Sequence, residues 1–436
     1  MAKQTEQERR YANYVLAVLF LVLMFNFIDR QIVGILADSI KADLGLTDTQ
    51  VGLMTGLSFA IFYTTLSIPL AIVADRWNRS KVIAIAIAIW SVMTVLCGAA
   101  ASFMQIFLAR IGVGIGEAGS SPASHSLIAD LFPPERRATA LGIFAMSVSI
   151  GSFIAFTGGS WLAENYGWRW TLVAAGAPGM IISAIIWFSV RDPRGDRPIS
   201  QAFKSKPGEV KLSDAIKELS RKWAYWHLII AGAIVSFVAY GVQTFYFPVF
   251  SRIHEVPVSE YSDLGLKLGL MFLVFGSAGA YFGGKCGDYF NARTPGGALI
   301  AAAFMFVVST PFMYFALYAE SLTIGVLILG VPQFAFSFFF GPSFAAIQML
   351  ASDKTRAFSV SIWIMFSGLI GLGLGPLTIG VLSDRFMANG GTAATGLQQA
   401  VMVVTLFNLL AALFFWLAQR SLKNEAALRD NALSSA

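Results

Sequence analysis

Two carboxylates and two guanidinium groups stand where an apolar chain has least reason to place them. Asp29 and Arg30 are neighbours in FNFIDRQIVGIL (residues 25–36), with no charged residue between Arg10 and Asp29 or between Arg30 and Asp38. A charge at the centre of a membrane-spanning helix costs roughly 2.5–3.5 kcal/mol, so such residues pair, face water and mark a pathway. Neighbours on a helix point about 100° apart, so the partners of Asp29 and Arg30 must come from another helix. Arg110 and Glu117 lie seven residues apart in a second apolar run, which puts them about 20° apart in direction and roughly 10 Å apart in height on one helical face. With the first span running outward and the fourth inward, Asp29 and Arg30 reach a depth between Arg110 and Glu117. Two acids and two arginines then form one intramembrane cluster of zero net charge, in which each proton state is felt by the others. This cluster is the leading candidate for a coupling site. The plainer alternative is a self-neutralised set that only pins helix packing.

The elements that must hold these residues are helices in a bilayer. The chain has 436 residues, 56% hydrophobic and 13% charged, well below the quarter or so of charged residues in soluble domains. Apolar stretches of about twenty residues, each able to cross roughly 30 Å of hydrocarbon, recur throughout. They place spans over 13–37, 50–74, 81–102, 104–129, 138–163, 169–190, 224–250, 264–287, 295–318, 321–350, 357–384 and 396–419. The fold expected is an all-α membrane protein with twelve transmembrane helices in two six-helix pseudo-symmetric halves. Its parts are a cytoplasmic amino end (1–12), an N-terminal bundle (13–190), a cytoplasmic linker (191–223), a C-terminal bundle (224–419) and a cytoplasmic tail (420–436). With both ends cytoplasmic, 24 of the 31 Lys and Arg residues lie in inner segments, and only Lys41, Arg169, Arg252, Lys267 and Arg385 lie outside. That is the asymmetry the positive-inside rule demands.

The formal charge of +6 belongs to loops beside the helices, not to one soluble face, which argues against a nucleic-acid partner. Cys97 and Cys286 have no second cysteine or histidine at metal spacing, so no disulfide framework, metal or other cofactor is expected. The first apolar stretch is too long for a signal-peptide core and has no small-residue cleavage site, so it stays as the first helix. The linker opens with RDPRGDRP, which breaks the sixth helix, and closes with KLSDAIKELSRKWAYW, which reads as an amphipathic helix. Leu212, Ile216 and Leu219 share one face, while Lys211, Lys217, Arg221 and Lys222 can meet anionic lipid heads. The simple role for this stretch is a solvated tether on the membrane.

The halves read as distant copies. ADRWNRSK (74–81) joins the second and third spans and GDYFNAR (287–293) the eighth and ninth, giving Asp75, Asn78 and Arg79 against Asp288, Asn291 and Arg293. Pro122 pairs with Pro342 and Arg136 with Arg356 at one common offset. Parallel copies of six spans mark a large transporter class whose site lies between the halves near the midplane. The ADRWNRSK turn resembles the loop signature of the major facilitator superfamily. Arg110 followed by glycines 112, 114 and 116 resembles that superfamily's fourth-helix motif, and Gly142, Gly151, Gly158 and Gly159 its glycine-rich fifth-helix signature. This copy departs from the loop pattern at Ala71 and Asn78, and it lacks the usual Gly-Pro pair. Asn tolerates a left-handed backbone, so the bend at Asn78 can survive. Gly112, Gly114 and Gly116 are expected to allow close helix approach.

His125 can relay a proton, but a lone histidine near a helix end is more simply a hydrogen-bonded structural residue. Asp75, Arg76, Arg79, Asp130, Glu135, Arg136 and Arg137, with Asp288, Arg293 and Arg356 in the second half, are expected to latch the cytoplasmic helix ends in one state. The second half is different in kind. AYGVQTFYF carries uncharged Gln243 between Tyr240 and Tyr246, and VPQFAFSFFFGPSF aligns Ser337 with Glu117. Tyr240, Gln243, Tyr246, Gln333, Phe336 and Ser337 are expected to line a cavity, although Phe in spans also faces lipid. A polar, ionic wall opposite an apolar one suits an amphiphile with an anionic head.

FIDR in the first helix with RIGVGIGEAGSSPASHSLIADLF in the fourth resembles the Spinster group of that superfamily, including its bacterial members. The resemblance implies a monomeric transporter in the bacterial inner membrane, moving lysophospholipids or sphingoid phosphates with proton coupling. It makes Asp29 the proton-accepting acid, Arg30 and Arg110 its ionic partners, and Glu117 a second acid controlling opening. Organic-anion symporters that take up sugar acids share the Asp-Arg pair and the later Arg and Glu, and are the runner-up. The chain has no nucleotide-binding loop of the full GxxxxGK(S/T) type, so the expected driving force is an ion gradient, not a built-in ATPase. An embedded enzyme or sensor is the other class of reading. His125, His227 and His254 are too scattered for a catalytic set.

Overall fold

A computed structural model of the protein describes residues 5–195, 218–220, 222–291, 293–294, 296–351 and 355–434, and every regular element among them is helical. Helices begin where a polar side chain takes up amides that a first turn leaves unpartnered. Helix α1 (Glu6–Ile35) starts at Thr5, whose hydroxyl accepts from the Glu8 amide while the Glu8 carboxylate accepts from the Thr5 amide. Helix α2 (Ala37–Leu44) stops at Gly45 with φ 64°. Helix α3 (Asp48–Gly52) has the same reciprocal cap between Thr47 and Gln50. It passes through one π-helical turn, Leu53–Leu57, into α4 (Ser58–Arg76).

Helix α5 (Arg79–Gly98) starts at Asn78, whose Oδ1 accepts from the Lys81 amide at 2.9 Å. Asn78 has φ −140°, so the bend before α5 does not use the left-handed conformation foreseen for it. An extended backbone with a side-chain cap makes the turn instead. Helices α6 (Phe103–Glu117) and α7 (Ser120–Leu131) meet at Ala118 and Gly119. Helix α8 (Pro134–Ser189) is interrupted at Gly167, where φ 78° and ψ 169° are non-helical.

The chain continues through α9 (Trp223–Thr244), α10 (Tyr246–Ile253) and α11 (Tyr261–Met271), a π turn at Phe272–Gly276, and α12 (Ser277–Asn291). Then follow α13 (Gly297–Leu317), α14 (Leu322–Phe338), α15 (Phe340–Leu350) and α16 (Arg356–Ser367), a longer π segment at Gly368–Leu374, α17 (Gly375–Ala388), α18 (Ala393–Thr405) and α19 (Phe407–Ser434). Ten of the described helical stretches are long and apolar enough to cross a bilayer, Glu135–Ser189 being the longest at 55 residues. This is a multi-pass, all-α membrane protein. Two compact units result, Met1–Ser205 with Pro257–Gly269, and Lys206–Val256 with Leu270–Ala436. The first therefore takes in a short piece that sequence order assigns to the second half. Ser262 of that piece donates backbone and side-chain hydrogen bonds to Glu164.

Lipid is as apolar as a leucine side chain, so helices associate in it through close packing, with small residues at the contacts. A Cβ at Gly114 would lie 2.6 Å from the Phe59 carbonyl oxygen, and one at Gly116 would lie 2.6 Å from the Trp90 nitrogen. The glycine run thus seats α6 directly against α4 and α5, as its spacing predicts. The second unit is filled by rings: Phe306 packs on Phe336 at 6.2 Å, Phe339 at 6.1 Å and Phe415 at 5.9 Å.

Lys211, Leu212, Ile216, Lys217 and Arg221 of the expected linker helix lie outside the described residues. Leu219 is buried. Lys222 does not reach for lipid heads: its Nζ donates to the Leu350 carbonyl at 2.5 Å and pairs with Glu218 at 3.3 Å. The ammonium caps the end of α15, where carbonyls lack intrahelical partners.

Candidate functional site

The four charged residues singled out in the spans come together in the first unit and pair crosswise. Oδ2 of Asp29 on α1 accepts from Arg110 Nη1 on α6 at 2.9 Å, and Arg30 Nε donates to Glu117 Oε2 at 2.7 Å. The side chains of Asp29 and Arg110 are each 2% exposed, Glu117 is 0% exposed, and Arg30 is 14% exposed. Adjacent residues on one helix thus serve two partners seven residues apart on another. The 100° step along α1 and the two-turn step along α6 make that possible.

Three features of this cluster were not foreseen from sequence. Thr94 on α5 donates to Asp29 Oδ1 at 2.5 Å, so both carboxylate oxygens of Asp29 are engaged. Arg30 is wrapped by rings, with its Cζ 4.4 Å from the Tyr63 centroid, 5.0 Å from Phe59 and 5.3 Å from Phe27. Phe59 also lies 5.5 Å from Arg110 Cζ, so one ring serves both guanidinium groups, and such contacts strengthen where water is excluded. The π turn at Leu53–Leu57 ends two residues before Phe59, and Gly114 leaves the Phe59 carbonyl room. Arg110 Nε and Glu117 Oε1 are buried with no hydrogen-bond partner. The cluster therefore has spare donor and acceptor capacity.

A second network ties a set of helix ends in the first unit. Arg79 is fully buried, and its Nε and Nη2 grip Asp192 at 2.9 and 2.5 Å. The Arg79 backbone amide adds a third bond to Asp192 at 2.9 Å. Arg79 Nη1 reaches the Ser126 carbonyl and Asp130, each at 2.9 Å. Arg194 bridges Asp130 at 2.8 Å and Asp75 at 3.2 Å. Burial works against the charge of Asp192, but the hydrogen bonds from Arg79 and from the Arg194 amide outweigh it and hold the carboxyl below its ordinary range. Asp130 is held low by the same balance, with Arg194 and Arg79 as its donors.

Asp75, Arg79 and Asp130 therefore meet as expected, while Asp192 and Arg194 enter from a stretch read as solvated tether. Arg136 instead lies over the Phe132 ring at 5.9 Å. In the second unit Arg293 stacks on Tyr289 at 3.7 Å and Asp288 is exposed. The side chain of Arg356 lies outside the described residues. His125 Nδ1 meets the Ser121 carbonyl at 2.9 Å and its ring packs edge-on to Phe144, the structural role open to it from sequence.

The neutral residues of the second unit also find one another. Gln243 Nε2 donates to Gln333 Oε1 at 3.2 Å. Gly276, closing the π turn, leaves space that a Cβ would fill 3.6 Å from both Gln333 Nε2 and Ser337 Oγ. Tyr246 is buried against Phe272 with its hydroxyl unpartnered, and Tyr240 is half-buried. Phe336 is 3% exposed and belongs to the Phe306 ring cluster.

The sequence profile of the Major Facilitator Superfamily matches residues 19–376. An MFS-type efflux pump of Mycolicibacterium smegmatis is 31% identical over 94% of this chain and 93% of its own length. The probable galactarate/D-glucarate transporter GudP of Bacillus subtilis is 28% identical over 63% of this chain and 64% of its own. A crystal structure of a bacterial homologue of the human lysosomal transporter Spinster superposes with a TM-score of 0.82 at 32% identity, covering 94% of this chain and 98% of that one.

Proposed function

This chain belongs to the Major Facilitator Superfamily, as a transporter closely related to the Spinster family, and from that premise we propose that it is a proton-coupled secondary transporter working by alternating access. The observation that carries the reading is the crosswise pairing of Asp29 with Arg110 and of Arg30 with Glu117. Apolar residues of similar volume would pack these positions without the desolvation cost of four charges. A group that gains and loses a proton is the economical reason for charge there. Asp29 takes up and releases the proton, the two ion pairs rearrange, and the substrate site opens to one side of the membrane and then the other.

Several finer features accompany this reading. Gly167 divides the 55-residue stretch into two spans, and α6 with α7 forms one more across the joint at Gly119, so that with the other nine stretches the chain crosses twelve times. The spans form two halves of six, and both termini are cytoplasmic in a bacterial inner membrane. Asp75, Arg79, Asp130, Asp192 and Arg194 latch the inner helix ends in one state. The transported molecule is an amphiphile of lysophospholipid or sphingoid-phosphate type. Its anionic head is taken by Arg30, the most accessible charge of the cluster. The two ion pairs also suit a sugar acid, which is the second reading.

The test is proton movement in liposomes that enclose a pH dye, with wild type and Asp29→Asn compared for a lysophospholipid, a sphingoid phosphate and glucarate. A lipid-driven proton flux that Asp29→Asn abolishes supports the amphiphile reading. A flux with glucarate alone transfers the protein to the anion symporters. An undiminished proton flux in Asp29→Asn removes Asp29 from coupling.

A further inference from the structure

Several threonines inside the helices follow one habit. The hydroxyls of Thr55, Thr64, Thr157, Thr244, Thr310 and Thr405 each donate to the carbonyl four residues back, at 2.6–2.8 Å, the usual way for a threonine inside a helix to satisfy itself. Thr94 breaks the habit. It is fully buried within α5, and its Oγ1 donates across to Asp29 Oδ1 at 2.5 Å.

The two partners of Asp29 differ in what they can become. Arg110, on Oδ2, has only donors and no acceptor. A hydroxyl has one donor and two lone pairs, and its hydrogen is free to turn. A proton placed on Oδ2 would face a second hydrogen; one placed on Oδ1 faces an oxygen that can accept it. We propose that Thr94 is the positioning residue that makes Oδ1 of Asp29 the proton-carrying atom. This inference rests on the reading of Asp29 as the coupling acid.

In the ionised state Thr94 donates to Oδ1 and Arg110 to Oδ2. When a proton arrives it bonds to Oδ1, and the new O–H donates to Thr94 Oγ1. The threonine hydrogen swings to the carbonyl of Trp90, one turn back along α5, where the other threonines already point. One O–H bond forms, none breaks, and the cluster gains one positive charge. Neither the Thr94 hydroxyl nor the Arg110 Nη1 donor is stranded in either state, which is why a hydroxyl serves here and a second cation would not.

The surroundings of Asp29 leave the role to Thr94. Charged or titratable groups reach it from α6, as Arg110 and Glu117, from α5, as the buried Cys97 thiol, and from its own helix, as Arg30. The length of α8 between Arg137 and Glu164, which packs along α1, contains no charged residue. The π turn at Leu53–Leu57 contains none either.

The test needs no substrate, because the proton itself is the probe. Purified protein in lipid nanodiscs is titrated with pH by infrared difference spectroscopy, following the carboxylic-acid carbonyl band that Asp29→Asn removes. Thr94 bonds both forms of Asp29, but its bond to the ionised carboxylate is about twice as strong as one to the neutral acid, so losing the hydroxyl favours the proton-bound form. Thr94→Val, which keeps the shape, should raise the midpoint by about one pH unit, on the order of tenfold in proton concentration. Thr94→Ala should move it the same way, and Thr94→Ser should restore it. A packing role alone would leave the midpoint in place, so Val and Ala variants that titrate with wild type overturn the proposal. If only the Val variant fails to fold, the Ala and Ser pair decides alone. If Asp29→Asn removes no band, Asp29 does not exchange a proton, and the proposed function falls together with this inference.

Discussion

Neutralising both members of the buried pair, instead of one, separates what the charges do for stability from what they do for coupling. In Arg110→Gln, Asp29 keeps only the Thr94 hydroxyl at 2.5 Å while remaining 2% exposed. Removing one partner of a buried ion pair costs about 3–5 kcal/mol, because an uncompensated charge stays behind. At roughly 2–4 °C per kcal/mol for a unit of this size, apparent melting should fall by about 10 °C. In D29N/R110Q no charge is stranded. The amide introduced at position 29 can still accept from Thr94 and can bond the amide introduced at position 110. The protein already holds such a contact between spans: Gln243 donates to Gln333 at 3.2 Å, with Gln333 4% exposed. The double variant should therefore melt within about 3 °C of wild type, since replacing both partners of a buried pair is close to neutral. It should nevertheless show no proton coupling. The assay is tryptophan-fluorescence melting in detergent at pH 7.5, with proton flux in liposomes alongside. A double variant as unstable as Arg110→Gln would refute the reasoning, because the loss would then come from shape and not from stranded charge.

Asp192→Asn should lower the melting temperature by several degrees at neutral pH. The hydrogen bonds to Asp192 hold its carboxyl below the ordinary 3.8, so the stability they contribute is present above that value and lost as pH falls through the lower, folded-state one. The gap between wild type and variant should be constant from about pH 8 to pH 5 and close below about pH 4; a gap that closes already near pH 6 would contradict it. Gly114→Ala puts a Cβ 2.6 Å from the Phe59 carbonyl, an overpacking that costs about 1–3 kcal/mol and pushes the ring away from both guanidinium groups. Transport and melting temperature should both drop. Gly142→Ala, where a Cβ meets nothing within 4 Å, should be neutral or slightly stabilising, and equal effects from the two would dismiss the packing argument.

Much of the site was legible because charge in an apolar run has few innocent explanations. Asp29, Arg30, Arg110 and Glu117 stand out by composition, and the seven-residue spacing on α6 already puts its two on one face. Which acid meets which arginine was not legible, since it depends on the relative rotation of α1 and α6, which no one-dimensional period records. Thr94, Phe59 and Tyr63 are ordinary residues for a span, and only the departure of one hydroxyl from its helix marks Thr94 out. Asp192 and Arg194 sit in a polar run that reads as solvated, yet Asp192 is 7% exposed beneath the first turn of α5. A salt bridge across 113 residues of sequence leaves no local trace. Asn78 occupied the right place for the wrong reason: the turn needed its side-chain oxygen, not its tolerance of a left-handed backbone.

The π turns carry the comparison between the units further than the loop motifs do. An offset of about 220 residues that pairs Pro122 with Pro342 also brings Leu53–Leu57 onto Phe272–Gly276 to within one residue, and Glu117 onto Ser337. One extra residue per turn shifts the register of a helix face and tends to occur where function needs it. In the first unit that shift precedes the ring that faces both arginines; in the second it ends at the glycine beside Gln333 and Ser337. The same backbone device thus frames a charged cluster in one unit and a neutral amide and hydroxyl set in the other. A backbone that packs equally around either does not need the charges in order to fold. On the proposed reading their use is the proton, and the paired neutral substitution should then leave the first unit standing and stop its work.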